Sequence, residues 1–350
     1  MSRGRFSSWL CVAWFLGCSS PIDVVAVPRL TSNDAGEDAQ VGGSAACVLA
    51  ASQGFAGIDV ARSAVRDQAL CVCQDLVASK ALTVSGGDVG IRGQLSAIAP
   101  VQVSGSLVVA SDKGIVLTGA DELRVGELQS AGPVLGSSAG VYVATDASIA
   151  GRVQLDAFEI GASFVRPAGT QVDVTQGVVA SAIRSEQVIV SPPCSCNNGL
   201  ASIAADVDLS QLPTVRDGAR LSDQCALVQL DTSGASQLRL VADASVVILV
   251  PGDLSLDGSM VVEAANDAVV TLVVLGNVRA NSPIMLGTQG GGRVELMVQG
   301  SGTVDIAGGS LVGSFYAPSA ELVLQGSLSV EGNVLIRRSA IGGNLEIRTP

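Results

Sequence analysis

The most regular feature of the chain is a short apolar strand pattern that recurs at a fixed interval. The segments VVILVPG, VTLVVLG and VELMVQG, at 246–252, 270–276 and 294–300, align without gaps 24 residues apart, and VGSFYAP at 312–318 is a further copy after a shorter interval. A shorter strand pattern such as DLSLDG or ELVLQG follows each copy. Self-similarity with a period of about 20 to 50 residues is typical of solenoids and arrays.

One such unit cannot bury its apolar face alone, so we expect the units to stack in parallel as successive turns, or rungs, of a coil. Each strand then pairs with the equivalent strand of the next rung. A run that is apolar at almost every position fits a strand covered on both faces. Alternating runs such as LRLVAD fit a strand with one buried face and one solvent-exposed face. An antiparallel sandwich of the same strands is the alternative, but it has no reason to keep a 24-residue register. The pattern therefore predicts an all-β protein, a parallel β-solenoid (β-helix).

Breaks in the strand pattern divide the chain into six segments. We expect a short helical N-terminal cap to cover a solenoid end, which would otherwise expose a strand edge, and a cysteine-containing inserted loop with a short helix to interrupt the strands. The predicted bounds are signal peptide 1–17, flexible tether 18–46, N-terminal cap 47–80, first half of the solenoid 81–193, insertion 194–236 and second half 237–350.

The amino terminus predicts export and a lipid anchor. Two arginines precede an apolar run at 9–16 that stops at Gly17-Cys18, and this run is shorter than the roughly 20 residues that a membrane-spanning helix needs. The sequence FLGC resembles a bacterial lipobox, with its leucine two positions before the cysteine where three is usual. We expect lipidation of Cys18 and a location at the outer membrane or cell surface; an ordinary cleaved signal is the alternative.

Charge and composition exclude several classes of function. The formal charge is −12, and removal of residues 1–17 takes two of the 20 basic residues and none of the 32 acidic ones, giving 18 − 32 = −14. Such a surface repels nucleic acid, so no nucleic-acid partner is expected. The chain has no histidine, which excludes Ser-His-Asp, Cys-His and histidine-ligated metal chemistry. We expect no cofactor.

The cysteines beyond the signal predict disulfides. Six remain after Cys18: Cys47, Cys71, Cys73, Cys194, Cys196 and Cys225. An even number in an exported chain is typical of disulfide bonds, but the spacing does not fix the pairing. One arrangement joins Cys47 to Cys71 or Cys73 and closes the insertion on itself through Cys225. A four-thiolate zinc site built from the two Cys-x-Cys pairs is the alternative.

Carboxylates offer the remaining candidates for chemistry. Asp206 and Asp208 form, with Asp217 and Asp223, the densest acidic patch. Such a patch could serve as a calcium site or as an acid/base pair acting on a polysaccharide. The simpler interpretation is a solvated loop surface, because no Asp-x-Asp-x-Asp-Gly loop is present. We therefore predict no metal and no catalytic residues, with Asp206 and Asp208 as the candidates if the protein is an enzyme.

The carboxyl-terminal segment GSFYAPSAELVLQGSLSVEGNVLIRRSAIGGNLEI resembles part of a domain of unknown function in exported bacterial proteins, often from myxobacteria. In that group a YAP-x-A turn is followed by a strand, a glycine-rich turn and a last strand. The Cys-x-Cys pairs and Gly-x-Leu-x-Val strands extend the likeness over most of 70–350, although the closing aspartate of the group is missing. The resemblance implies a parallel β-helical surface protein and supplies no catalytic residues.

These features predict a lipid-anchored β-solenoid at the cell surface, a non-catalytic structural or adhesive component of the envelope or extracellular matrix. Its expected partners are the membrane, through the lipid on Cys18, and extracellular polysaccharide or other surface proteins. One alternative is a polysaccharide-active lyase or hydrolase, and another is a self-assembling, polymer-forming β-helix. Carboxylates and an arginine converging on one lateral groove would favour the enzyme, whereas smooth Ser/Thr/Val faces would favour the scaffold.

Overall fold

The fold is known from a computed structural model, which describes residues 56–349 except 67, 120–121, 197–207, 222–226, 266 and 288–290. This part of the chain contains 29 strands, one α-helix, α1 (Ala56–Arg66), and a 3-10 helix at Leu209–Gln211. The helix α1 is too short to cross a membrane, and no other helix in the described ranges meets that requirement.

The strands fall into two groups along the chain. The first group is β1 (Leu70–Val72), β2 (Leu76–Ala78), β3 (Leu82–Ser85), β4 (Val89–Ile91), β5 (Leu95–Ala97), β6 (Val101–Val109), β7 (Ile115–Leu117), β8 (Glu122–Ser130), β9 (Val134–Val143), β10 (Ala147–Ile149), β11 (Val153–Ile160), β12 (Ser163–Arg166), β13 (Val172–Val179) and β14 (Ala182–Ser185).

The second group is β15 (Thr214–Val215), β16 (Arg220–Leu221), β17 (Leu227–Leu230), β18 (Leu238–Ala242), β19 (Val246–Val250), β20 (Leu254–Leu256), β21 (Met260–Ala264), β22 (Val269–Val274), β23 (Val278–Ala280), β24 (Ile284–Leu286), β25 (Arg293–Val298), β26 (Thr303–Ile306), β27 (Gly309–Leu324), β28 (Leu328–Ile341) and β29 (Leu345–Arg348).

Parallel pairing winds these strands into a β-solenoid of about 13 turns, which confirms the predicted fold class. The 24-residue repeat is the rung register itself: Val246 pairs with Val270, and Val270 with Val294. Equivalent apolar side chains therefore lie directly above one another inside the coil. One continuous core of Val, Leu, Ile and Ala side chains runs through the described rungs.

The rungs do not stack in chain order. The chain enters the solenoid in its middle at β1 and winds outward to one end, at β13 and β14. The second group begins at the opposite end, with β15 and β16. From there the chain winds back to the middle, so the second group of strands precedes the first along the solenoid axis.

One rung in the middle is built from both ends of the described chain. Strand β28 pairs with β1 and β2, while β29 pairs with β3. Thus β29 supplies one side of this composite rung and β1 and β2 supply the rest. Backbone hydrogen bonds cross it, from Val334 N to Ala69 O (2.9 Å) and from Thr349 N to Ser85 O (3.0 Å). The two halves consequently share one core without a break.

Strand β22, one of the apolar repeat segments, is buried on both faces, as its composition predicts. Val270, Leu272 and Val274 point into the solenoid core, whereas Val273 points outward and is still fully buried. Val273 belongs to an outer cluster on one lateral face, whose members are Ile58, Ala61, Ala64, Cys71, Leu227, Leu249, Val273, Met297, Tyr316 and Leu335. Tyr316 lies in this outer cluster, next to Phe315 in the inner core, and both are 1% exposed.

Helix α1 covers that outer cluster. Its apolar side, Ile58, Ala61 and Ala64, packs on the outward side chains of the second group of strands. Arg62 anchors it: its Nε donates to both carboxylate oxygens of Glu295 (3.0 and 2.9 Å), and its Nη2 lies 3.0 Å from the Thr271 hydroxyl. The predicted cap 47–80 thus contains a helix, but the helix lies on the side of the solenoid and not over an end. Residues 70–78 of that segment are strands of the composite rung.

The predicted insertion 194–236 is also partly solenoid. Strands β15, β16 and β17 lie within it and form the first rungs of the second half. Their two- to four-residue length explains why the sequence pattern did not reveal them. The rest of the segment contributes the 3-10 helix, whose Leu209 packs with Leu212 against the outer cluster.

Aspartates in the turns between strands bond each rung to the next. Carboxylates of Asp75, Asp88 and Asp146 accept the backbone N–H of Gln94, Ser106 and Ser163, at 2.7–2.9 Å. The Asp253 carboxylate does the same for Asn277 N in the second half (2.7 Å). Each bond satisfies a backbone N–H group with a side-chain acceptor from the neighbouring rung.

Candidate functional site

A lateral groove of about 950 Å³ crosses the first half of the solenoid. One side is an outward column of side chains on successive rungs, which we call the polar column: Thr83, Gln102, Arg124, Tyr142 and Glu159. Strand pairing fixes this order, because each member is the register partner of the next. The polar column spans four rung intervals, roughly 19 Å at ~4.8 Å per interval.

The groove exists because the neighbouring outward position is small on every one of these rungs. Two residues after each member of the polar column stands a small residue, and these form the small column: Ser85, Ser104, Gly126, Ala144 and Gly161. At Gly126 a Cβ atom would lie 2.5 Å from the Ser104 carbonyl oxygen, so the rungs approach closely there. The short side chains of the small column, beside the longer ones of the polar column, leave an open channel parallel to the solenoid axis.

Arg124 and Tyr142 form the centre of the groove. The guanidinium carbon of Arg124 lies 4.4 Å from the centroid of the Tyr142 ring, a cation–π arrangement. The Glu122 carboxylate accepts a hydrogen bond from Arg124 Nε at 2.7 Å and thereby raises the pKa of Arg124 above its ordinary value. The Tyr142 ring packs over Gly140, where a Cβ atom would approach ring atom Cε2 to 2.8 Å. Both side chains are held from two sides.

The sequence contains a signal for this groove that the strand pattern alone did not reveal. The tripeptides TVS, QVS, RVG, YVA and EIG recur at 83–85, 102–104, 124–126, 142–144 and 159–161. In each, the middle residue points into the core, the first contributes to the polar column, and the third is small. Because their spacing varies between rungs, these tripeptides do not stand out as a fixed-period repeat.

The four described cysteines join the returning segment to the middle of the solenoid. Cys71 is bonded to Cys194 and Cys73 to Cys196, with Cα–Cα distances of 6.1 and 5.7 Å. The structure therefore pairs the two Cys-x-Cys elements with each other, and neither Cys71 nor Cys73 is bonded to Cys47, which was one of the arrangements that the sequence left open. Parallel alignment of two extended segments explains this pairing. Cys47 and Cys225 lie outside the described residues.

The positions of these cysteines also bear on the alternative of a four-thiolate zinc site. The sulfur atoms of Cys71, Cys73 and Cys196 lie within 4.8 Å of one another, so both Cys-x-Cys elements do meet at one place. Thiolates are the form of cysteine that binds zinc, and these sulfurs are engaged in disulfides. Zinc binding here would require reduction of both bonds.

The acidic patch is divided between described and undescribed residues. Asp208 accepts hydrogen bonds from the backbone N–H (3.1 Å) and hydroxyl (2.7 Å) of Ser210, as the N-cap of the 3-10 helix. Asp217 accepts the backbone N–H of Arg239 at 2.6 Å. Both therefore have local structural partners. Asp206 and Asp223 lie outside the described residues, as does Cys18, so the proposed acid pair and the lipidation stay predictions.

Comparison with known proteins relates only the second half of the solenoid to a family. Residues 229–349 match the model of a family described as a domain of unknown function (DUF7305). Searches of curated proteins and of solved structures each gave no significant match. The matched stretch runs from the end of β17 to the end of β29 and carries the 24-residue repeat. Over this stretch, which is part of the β-solenoid, the chain is thus similar to a domain of unknown function.

Proposed function

We propose that the protein is a lipid-anchored rod at the cell surface, a structural or adhesive component of the envelope or extracellular matrix that binds through its lateral face. A β-solenoid with a domain of unknown function is consistent with a structural role. The predicted signal at 1–17, the lipid on Cys18 and the tether at 18–46 support attachment to a membrane. They would hold the rod at a distance from the lipid and leave its sides accessible.

One observation carries the proposal: an outward column of side chains runs uninterrupted along the rod. In stacking order its members are Arg239, Val261, Met285, Ser310, Ser329, Glu346, Thr83, Gln102, Arg124, Tyr142 and Glu159. The column crosses the composite rung without a shift, so the two halves present one continuous face. Such a face suits a long, extended partner better than a compact one.

The proposal is tested with the mature chain from Ser19 onward, immobilised and incubated with solubilised envelope and matrix from its host. We expect retention of polysaccharide or surface protein on this chain and none on a heat-unfolded sample. Fractionation of cells that express the full chain or its Cys18→Ser variant tests the anchor, since the variant should leave the membrane fraction. No retained material, or a membrane fraction unaffected by Cys18→Ser, would contradict the respective part.

A polysaccharide-active enzyme is the second candidate, and a specific observation favours it. The groove contains an arginine, Arg124, and a carboxylate, Glu159, in one line with Tyr142. General acid–base catalysis on a polysaccharide needs ionisable side chains positioned in a cleft. Incubation of retained polysaccharide with the mature chain, followed by an assay for new reducing ends or unsaturated products, decides between cleavage and binding.

Self-assembly is a third candidate, favoured by one exposed end of the core. Ile183 stacks on Phe164, yet Ile183 is 56% exposed while Phe164 is buried. At the opposite end Val215 and Leu221 are at most 5% exposed. With one open end among the rungs that the structure describes, we expect pairs of rods at most and no filaments, which sedimentation of the mature chain over a range of concentrations can check.

A further inference from the structure

We propose that the groove between the polar column and the small column binds a single extended chain of an uncharged polysaccharide, with Tyr142 as its central contact. This inference rests on the proposed function, because it names the partner class of the same lateral face. It is drawn from the shape, the charge and the side-chain chemistry of the groove.

Shape favours a linear polymer. The groove lies along the solenoid axis and crosses five rungs, from Thr83 to Glu159. The groove is open and its small column has Ser, Gly or Ala on each of these rungs. A compact ligand would leave most of this length empty, whereas an extended chain can contact one rung after another.

Charge favours an uncharged ligand. Arg124 and Glu159 are the ionisable residues among those that line the groove, apart from Tyr142, and the Arg124 charge is already opposed by Glu122 at 2.7 Å. The chain as a whole carries a formal charge of −12. A polyuronate would meet one partly neutralised cation in a negative field, so its binding is disfavoured.

Side-chain chemistry favours sugars. Hydroxyl and amide groups line the groove at Thr83, Ser85, Gln102 and Ser104, and these groups both donate and accept hydrogen bonds, as sugar hydroxyls do. Tyr142, whose ring face is covered by Arg124, adds an apolar ring edge and a hydroxyl, which suit the apolar and hydroxyl-bearing parts of a sugar ring.

The test uses soluble, unbranched glucans of several linkages as neutral probes, with polygalacturonate as an acidic probe and chitosan oligosaccharide as a cationic one. Binding to the mature chain from Ser19 is measured by calorimetry and by affinity electrophoresis. We expect at least one neutral glucan to bind and polygalacturonate not to bind. Exclusive binding of polygalacturonate or chitosan would overturn the assignment of ligand class.

Variants place the site. Tyr142→Ala should weaken binding about tenfold, while Tyr142→Phe, which keeps the ring, should stay within about threefold. Ala144→Arg should abolish binding by filling the groove. Ala144 is exposed and the second half carries Glu331 and Arg348 in the equivalent small-column position, so this variant is compatible with folding. Val77→Ala, at an exposed position of β2 that lies outside both the groove and the outward column, is the matched control and should bind like the parent chain.

The outcomes separate this inference from the proposed function. Unchanged glucan binding by Tyr142→Ala and Ala144→Arg would show that the groove is not the site. Retention of envelope material by a chain that binds no neutral glucan would overturn the inference and leave the proposed function standing. Loss of envelope retention as well would contradict both.

Discussion

The two halves of the solenoid use the outward side of their strands differently. On the lateral face covered by helix α1, one outward column runs Leu249, Val273, Met297, Tyr316 and Leu335 in the second half and continues as Cys71, Gly90, Val108, Gln129 and Ser148 in the first. Beyond the rungs that the helix covers, the column changes from large apolar residues to mostly small or polar ones. Outward side chains are apolar where another segment packs on them.

The groove face shows the reverse difference. In the second half the positions beside the outward column are mostly large, at Val241, Glu263, Val312, Glu331 and Arg348. In the first half the equivalent positions are the small column, and the groove of about 950 Å³ lies beside it. On this face the second half therefore presents large side chains beside the column, whereas the first half has a channel.

The largest expected effect comes from a charge placed in the covered column. Met297→Asp should lower the free energy of unfolding by more than about 3 kcal/mol, because an unpaired carboxylate would be buried under the helix. Ser148→Asp, at the equivalent position of the first half, should cost less than about 1 kcal/mol. Urea denaturation followed by circular dichroism measures both. Equal losses would contradict the difference between the halves.

Removal of the disulfides should have the next largest effect. Each closes a loop with a sequence separation of 123 residues, and the two loops are nearly the same. Replacement of all four cysteines by serine should therefore cost about 2–5 kcal/mol. The pair Cys73→Ser/Cys196→Ser alone should cost much less, since Cys71–Cys194 still closes the loop. Additive losses from the two pairs would show that each bond constrains a different part of the chain.

The contact of Arg62 on helix α1 with Glu295 should contribute less to the free energy of unfolding. Arg62→Ala removes a charged hydrogen-bonding partner from Glu295, whose side chain is only 15% exposed, and we expect a loss of about 1–3 kcal/mol. A double-mutant cycle with Glu295→Gln should give a coupling energy of about 1 kcal/mol. As a control, Arg124→Ala in the exposed pair with Glu122 should leave the unfolding midpoint nearly unchanged. A coupling energy of zero would mean that Arg62 acts through its other contacts, such as the Thr271 hydroxyl, and not through Glu295.

The smallest expected effect is on the pH dependence of stability, through the Asp146 carboxylate. The side-chain and backbone hydrogen bonds from Ser163 lower the pKa of Asp146 below its ordinary value of 3.8. A lowered folded-state pKa stabilises the fold above the unfolded pKa, and this contribution is lost as the pH falls through the folded pKa. Ser163→Ala should thus destabilise slightly at pH 6, and the difference from the parent chain should shrink toward pH 3. A constant difference across this range would contradict the assignment.

The predicted parts of the fold were those that depend on side-chain periodicity. The register of Val246, Val270 and Val294 and the two-sided burial of Val273 follow from the apolar pattern. The order of the rungs does not, because strand edges carry only backbone groups: nothing in Leu345–Arg348 indicates that it pairs with Leu82–Ser85. The pairing of the cysteines depends on that order and was therefore also beyond the sequence.

The groove was missed for a related reason. Tyr142 and Arg124 are 18 positions apart in sequence, and only the stacking of their rungs makes them neighbours. Ala144 contributes to the groove because its side chain is small and lies beside the larger side chains of the polar column. Composition does not reveal this arrangement. Sequence reasoning instead selected the acidic patch, where Asp208 and Asp217 have local partners in turns.

The most direct test of the difference between the halves is hydroxyl-radical footprinting of the intact mature chain with and without a saturating neutral glucan, read by mass spectrometry. We predict protection at Tyr142 and at neighbouring positions of strands β6, β8, β9 and β11, with Met285 and the second half unchanged. Protection centred on Met285, or spread evenly over both halves, would show that the groove of the first half is not the binding surface.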